Sequence, residues 1–336
     1  SGKTIMAAAA AARRFPFGAR ITWLANTREQ VMQAYTAAAR FDLQIDAHCV
    51  AARPDCSRAD LVIVDEAHHT PAATWAATVG AAKGIIWGVS ATPWSNDPER
   101  DQALRAFFRE FLIIPRDEVM AGGSITKGAV IVHDLDWAGE FTQQIETATA
   151  LETERRCRRY PFVSRDEHER RARWQITAEV IRHNEIRNSR IVDLASNEAG
   201  SILVLVATVE HGEELAARIP GAELAHAKLP KKKRAAVIDG FRDGSVRCMI
   251  ATSLADEGLD VPRASVLILA AGGRSAGKLE QRAGRVMRPH AGKEFGVVHD
   301  FADIGAVLAH SQFLARARTY KKLGYTITRA NHARAA

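Results

Sequence analysis

The chain has 336 residues, 47% of them hydrophobic and 25% charged, which is the make-up of a water-soluble globular protein and more chain than one core usually organises. Its 46 Lys and Arg against 39 Asp and Glu leave a formal charge of +7, which permits an acidic partner such as nucleic acid without requiring one. Four scattered cysteines (Cys49, Cys56, Cys157, Cys248) with no C-x-x-C pair exclude a disulfide framework and a cysteine zinc site, and fit a reducing compartment.

The first four residues, Ser1-Gly2-Lys3-Thr4, have the form of the second half of a phosphate-binding loop, G-x-x-x-x-G-K-[S/T]. The alanine-rich stretch behind them reads as a small-residue helix that packs closely on a sheet, since Arg13 and Arg14 follow it and no run in the chain approaches the length of a bilayer span. Short apolar runs then alternate with helical patterns, as expected for β-α units around parallel sheets. In the first half the expected strands are ITWLA (21–25), LVIV (61–64), IIWGVS (85–90) and AVIV (129–132). In the second half they are ILVLVA (202–207), RCMIA (247–251), VLILA (266–270) and FGVV (295–298). Residues 137–195 are rich in charge and poor in β-branched runs, so they read as a helical connector. The sequence therefore predicts an α/β chain with one lobe at 1–140, a connector at 141–195 and a second lobe at 196–330.

The densest chemistry lies at LVIVDEAHH, where Asp65 and Glu66 follow a four-residue apolar strand. Ligands of open α/β sheets bind at strand carboxyl ends. Two adjacent carboxylates there suit a Mg²⁺-nucleotide: Asp65 to hold the metal through its water shell, Glu66 to take a proton from an attacking water. Gly2, Lys3 and Thr4 at the start of a helix supply backbone N–H groups and a cation for phosphates, and a hydroxyl for the same metal.

With these residues in place the chain resembles the superfamily 2 helicases of the DEAH-box type. VDEAHH resembles their motif II and SGKT the end of motif I; the other motifs follow in the family's order, from Ser1 to about residue 300. WLANTREQ resembles motif Ia, which implies that Thr27 and Arg28 lie by the nucleic-acid backbone. SATP resembles motif III, so Ser90 and Thr92 would couple the nucleotide site to the track, with His68 relaying nucleotide state to them. SILVLVATVEHGEELA resembles motif IV, and IATSLADEGLDVP resembles motif V, implying Thr252 toward a phosphate of the strand and Asp260 toward the ribose of ATP. QRAGRVMRP resembles motif VI. It implies Arg285 and Arg288 as arginine fingers and Gln281 at the γ-phosphate or its water, with Arg282, Arg285 and Arg288 on one helical face. The wording of DEAHH and EGLDVP is most similar to the branch of restriction motors and phage or repair helicases.

The resemblance implies two tandem RecA-like domains with ATP and Mg²⁺ between them, an ATPase stimulated by DNA or RNA, and a bacterial or phage-encoded protein of the cytoplasm with no membrane partner. Only about forty residues separate motif Ia from the DEAH box, and no wedge or accessory domain is evident apart from the connector. Translocation without unwinding, as in a restriction motor with a nuclease partner, is therefore a second expectation; a nucleic-acid-binding subunit that hydrolyses no ATP is a third. The basic run KLPKKKR (228–234) reads as a solvated helix face, and RRCRRY and RDEHERRARW as a charged connector whose part in strand binding is secondary. Because the family's phosphate loop follows a strand in the middle of its sheet, the chain is expected to be an N-terminally incomplete fragment that binds ATP poorly by itself.

Overall fold

The computed structural model describes residues 2–91, 93, 94, 97–114, 118, 126–137, 139–252, 259–273 and 275–330. The chain divides into two compact units, Ser1–Pro115 and Arg116–Ala336.

In the first unit, α1 (Gly2–Arg14), α2 (Arg28–Ala39), α3 (Ala73–Gly80) and α4 (Pro98–Phe107) flank four strands: β1 (Ile21–Ala25), β2 (Asp46–Cys49), β3 (Leu61–Asp65) and β4 (Ile85–Val89). Their order is β2-β1-β3-β4 and every pairing is parallel. The strands β1 and β3 are wholly buried, as strands covered on both faces must be, and that is why each reads as an unbroken apolar run. Trp23, Leu61 and Ile63 meet α1 and α2 on one face, while Leu24, Val62 and Val64 meet α3 and α4 on the other. The alanines of the opening helix have a packing reason: Ala7, Ala8 and Ala11, with Ala34 and Ala37 of α2, leave room for the fully buried Trp23 indole.

The second unit holds β5 (Lys127–Asp136), α5 (Gly139–Arg159), α6 (Arg165–Arg182), α7 (Glu185–Asn197), β6 (Ser201–Leu205), α8 (Val209–Arg218), β7 (Ala222–Ala225) and α9 (Lys231–Asp243). There follow β8 (Cys248–Ala251), β9 (Ala264–Leu269), α10 (Ala276–Val286), β10 (Phe295–Ile304), α11 (Val307–Lys322) and β11 (Thr326–Arg329). Its seven strands run β11-β5-β10-β9-β6-β8-β7, again all parallel.

The strand expected at 129–132 is present, but not in the first lobe. The full length of β5 pairs with β10, from Lys127 against Phe295 to Asp136 against Ile304, and its other edge takes β11. The boundary therefore falls near residue 115 rather than 140: strand pairing, which the local sequence does not encode, decides it. The charged connector is α5, α6 and α7, all inside the second unit. Lys231–Lys233 are exposed at the start of α9, as a solvated face requires.

Strand β10 is fastened by charge as well as by packing. Buried Arg316 of α11 donates from Nε to Asp300 Oδ2 at 2.8 Å and from Nη2 to Oδ1 at 2.9 Å, and the Tyr320 hydroxyl donates to Oδ2 at 2.9 Å. On the same strand Asp303 accepts from buried Arg187 of α7, whose guanidinium also donates to the Ala270 carbonyl and lies 4.5 Å above the Phe301 ring. Burial raises the Asp303 carboxyl above its usual range, and the two arginines oppose that rise.

Replacing Arg316 by Ala strands Asp300 in the interior and is expected to cost about 3–5 kcal/mol of unfolding free energy. Arg173→Ala, which breaks an exposed pair with Glu169, should cost about 0.5 kcal/mol. Urea denaturation of the two variants checks the contrast.

Candidate nucleotide and nucleic-acid site

Parallel strands end at one edge of a sheet, and in the first unit that edge collects the sequence-predicted residues. Ser1 and Thr92 lie outside the described residues. Gly2, Lys3 and Thr4 form the first turn of α1, with Thr4 buried. Asp65 is the last residue of β3 and is 5% exposed. Glu66 follows in a left-handed backbone conformation (φ 51°, ψ 53°), which a residue with a Cβ adopts only at a cost, and its N–H donates to Asp65 Oδ1 at 3.0 Å.

That kink turns the Glu66 carboxylate between two partners. Its Oε1 lies 3.9 Å from Lys3 Nζ, and its Oε2 lies 3.4 Å from His68 Nδ1. Oε2 is shut off from solvent and makes no hydrogen bond of good geometry. The same His68 nitrogen sits 3.0 Å from Ser90 Oγ, just past β4, and the His68 carbonyl accepts from Arg100 Nη2 at 2.8 Å. Lys3, Glu66, His68 and Ser90 thus form a continuous polar line from the N-terminus of α1 to the end of β4. His69 is turned to Trp75, with which its ring stacks at 5.9 Å.

Burial is the main reason that the Asp65 carboxyl is pushed up to about 6; the charge of Glu66 adds to it, and Lys3 pulls the other way. Two carboxylates and one lysine leave the corner short of positive charge, which a divalent cation would supply. Asp65 and the Thr4 hydroxyl are hard oxygen donors of the kind that Mg²⁺ takes. Among the described residues no group of three or more His, Cys, Asp or Glu forms a metal cluster.

Thr27 and Arg28 stand at the same edge. Thr27 caps α2: its hydroxyl accepts from Gln30 N at 3.2 Å, and the Gln30 side chain accepts from the backbone N–H groups of Asn26 and Thr27. Arg28 is the first helical residue and is exposed.

In the second unit Thr252 follows β8, almost buried, with its N–H toward the Ala225 carbonyl. Gln281 is half-buried on α10. The three arginines of QRAGRVMRP do not share a helical face, because α10 ends at Val286 and Arg288 lies beyond its Met287 cap. Buried Arg285 donates to the Leu259 carbonyl, and Arg288 pairs with Asp260. Asp260, expected at a ribose, is thus engaged by a motif VI arginine, and its carbonyl accepts from Arg242 Nε.

A residue that the sequence did not single out holds this corner. Lys293 donates to the carbonyls of Pro262, Ala264 and Arg288, and burial, with Arg288 next, lowers its ammonium to about 8. No local pattern marks it, since its partners are backbone oxygens brought together by the fold.

Residues 186–290 match the helicase conserved C-terminal domain. The chain is 28% identical over 251 residues to a candidate helicase, number 22, of Sulfolobus islandicus filamentous virus, covering 73% of this chain and 42% of that protein. It is 30% identical over 138 residues to the DNA 3'-5' helicase XPB of Kineococcus radiotolerans, covering 39% of this chain and 25% of that one. The chain thus spans less than half the length of these relatives. In fold it resembles S. cerevisiae Dbp5 bound to RNA and ADP BeF3, with a TM-score of 0.58 at 15% identity, over 98% of this chain and 82% of that one. The Pyrococcus furiosus Hef helicase domain gives a TM-score of 0.54 at 13% identity, over 94% and 92%. Both units are thus RecA-like α/β domains of the tandem kind found in helicases, and the second carries the helicase conserved C-terminal domain.

Proposed function

We propose that this chain is the two-lobed core of a DEAH-type, ATP-driven helicase or translocase that moves along DNA or RNA. The observation that carries this reading is the polar line Lys3–Glu66–His68–Ser90 beside buried Asp65. It joins the candidate phosphate loop, the candidate base and the third motif within one unit, and the conserved helicase domain at 186–290 supplies the second lobe. When bound, ATP with Mg²⁺ would supply the phosphoanhydride and the charge neutralisation for its cleavage.

In this reading the residues divide the work as follows. Gly2 and Lys3 bind phosphate through the helix terminus and the ammonium, and Thr4 and Asp65 offer oxygen to the metal. Glu66 takes the proton of the attacking water on its carboxylate, which Lys3 and His68 flank. His68 sits between Glu66 and Ser90, so a change in the charge of Glu66 is felt at the end of β4. Arg288 must exchange Asp260 for a phosphate before it can serve as a finger. Exposed Arg28 and the capped N-terminus of α2 suit backbone phosphates of a strand, contacts that are indifferent to sequence. The intact polar line favours hydrolysis over a purely binding subunit. Whether motion is accompanied by unwinding is read by a strand-displacement assay, in which a translocase leaves the duplex intact.

Glu66→Gln keeps the shape and removes the base, so nucleic-acid-stimulated ATP turnover should fall by about 10²–10⁴-fold. Unchanged turnover would refute the role of Glu66.

Asp65 gives a pH signature in the absence of nucleotide. Its folded carboxyl titrates at about 6 against 3.8 for a free aspartate, so the folded chain holds this proton more tightly than the unfolded chain. The stability that the group contributes is complete below about pH 4 and is lost as pH rises through about 6. Asp65→Asn should therefore match the parent chain near pH 4 and exceed it at pH 8, by on the order of 2–3 kcal/mol at most. Urea titrations at the two pH values check the sign.

A further inference from the structure

The charged stretch 139–182 folds into a helical hairpin, α5 and α6, joined by the turn 160–164. Its base is anchored: Ile145, Ile176, Val180 and Ile181 share a cluster with Trp137 and Ala306. Farther out the helices touch through small or polar groups, Thr149, Thr153, His168 and Ala172, all buried. At 1.5 Å per residue the turn stands about 22 Å beyond Ile145 along α5. His168 Nε2 donates to the Tyr160 carbonyl at 2.9 Å and so holds the turn in one shape.

Most cations of this arm are spoken for. Arg156 pairs with Glu152, Arg165 with Glu154, Arg171 with Glu167 and Arg173 with Glu169. Arg158, Arg159 and Arg170 are exposed and have no acidic partner among the described residues, apart from the 5.5 Å approach of Arg159 to the Tyr160 ring. Beside them the Phe162 ring is fully in solvent at 101% exposure, with Tyr160 and Trp174 more than half exposed. A turn held rigid around a solvated phenyl ring and bordered by unpaired guanidiniums is not explained by packing. A merely solvated helix face has no use for such a ring.

We propose that this arm is a binding site for single-stranded nucleic acid, with a base stacked on Phe162 and with Arg158, Arg159 and Arg170 on the flanking phosphates. Aromatic rings and arginines in alternation are the chemistry of sequence-tolerant strand binding. The three guanidiniums without an acidic partner, against the one exposed carboxylate of Asp166 after the turn, favour this occupant over an apolar partner, and the free π-face favours it over duplex, whose bases are stacked already. The proposal rests on the helicase reading and adds to it a strand contact on the second unit.

The test is fluorescence anisotropy of the full chain with a labelled single-stranded oligonucleotide, next to blunt duplex of the same length. Stacking is worth about 1–3 kcal/mol per base, so Phe162→Ala should weaken single-strand binding roughly tenfold and duplex binding little, while Phe162→Trp should retain the affinity of the parent. An oligonucleotide carrying 2-aminopurine should change its emission on binding the parent chain and not on binding Phe162→Ala. The double change Arg158→Gln with Arg159→Gln should flatten the slope of log K against log salt by about 1.4, at about 0.7 for each phosphate contact. Because Phe162 is solvated, none of these losses can be ascribed to unfolding. Affinity within twofold of the parent for Phe162→Ala, or an equal loss on duplex, overturns the proposal and leaves the helicase reading standing. A parent chain that binds no strand and shows no strand-stimulated ATP turnover overturns both.

Discussion

Parallel pairing makes the chain return to the same end of a sheet before it can lay down each new strand, and every described strand of both units is paired in this way. Most of the described return runs are helices, these cover both faces, and the central strands become unbroken apolar runs. The same constraint sends all strand carboxyl ends to one edge. Thr27, Asp65 and Ser90 are far apart in sequence, yet each follows or ends a strand of one sheet, and so they meet the start of α1 there. No separate device is needed to assemble the candidate site.

Buried charge is handled in opposite ways in the two units. Asp300 accepts on both oxygens from Arg316 and Tyr320, Asp303 accepts from Arg187, and the pair lock β10 to the helices around it. Asp65 and Glu66 are left short. One is buried without a cation of its own, and the other sits on a left-handed backbone with an oxygen that nothing hydrogen-bonds. Compensated charge specifies packing, whereas charge left uncompensated at a strand end awaits a ligand. That difference separates an internal clamp from a site more reliably than the residue types do.

The interior strands were legible because burial on both faces leaves a mark in the sequence. The strands that escaped notice, β2, β7 and β11, are all edge strands of four residues interrupted by polar ones (DAHC, AELA, TITR), and a strand covered on fewer sides carries no such mark. The apolar run of β5 was visible but its sheet was not, because pairing with β10 joins residues more than 150 positions apart. Among the site residues, Glu66 and His68 could be named from their neighbours, but their meeting with Lys3 and Ser90 required the fold. The end of α10 before Arg288 and the three backbone partners of Lys293 were equally invisible from local spacing.

The tetrapeptide SGKT, the run LVIVDEAHH and the order of the later motifs determined by themselves the α/β class, the candidate residues and the expectation of a nucleotide-driven motor, because each depends on local patterns of burial and on residue chemistry. Tertiary structure alone decided which sheet β5 joins, that Arg288 pairs with Asp260, and that a stretch read as a charged connector stands out as an arm tipped by Phe162. Those outcomes depend on long-range pairing, on where a helix stops and on which charges find partners. All three are set by contacts between distant residues and not by the residues on either side.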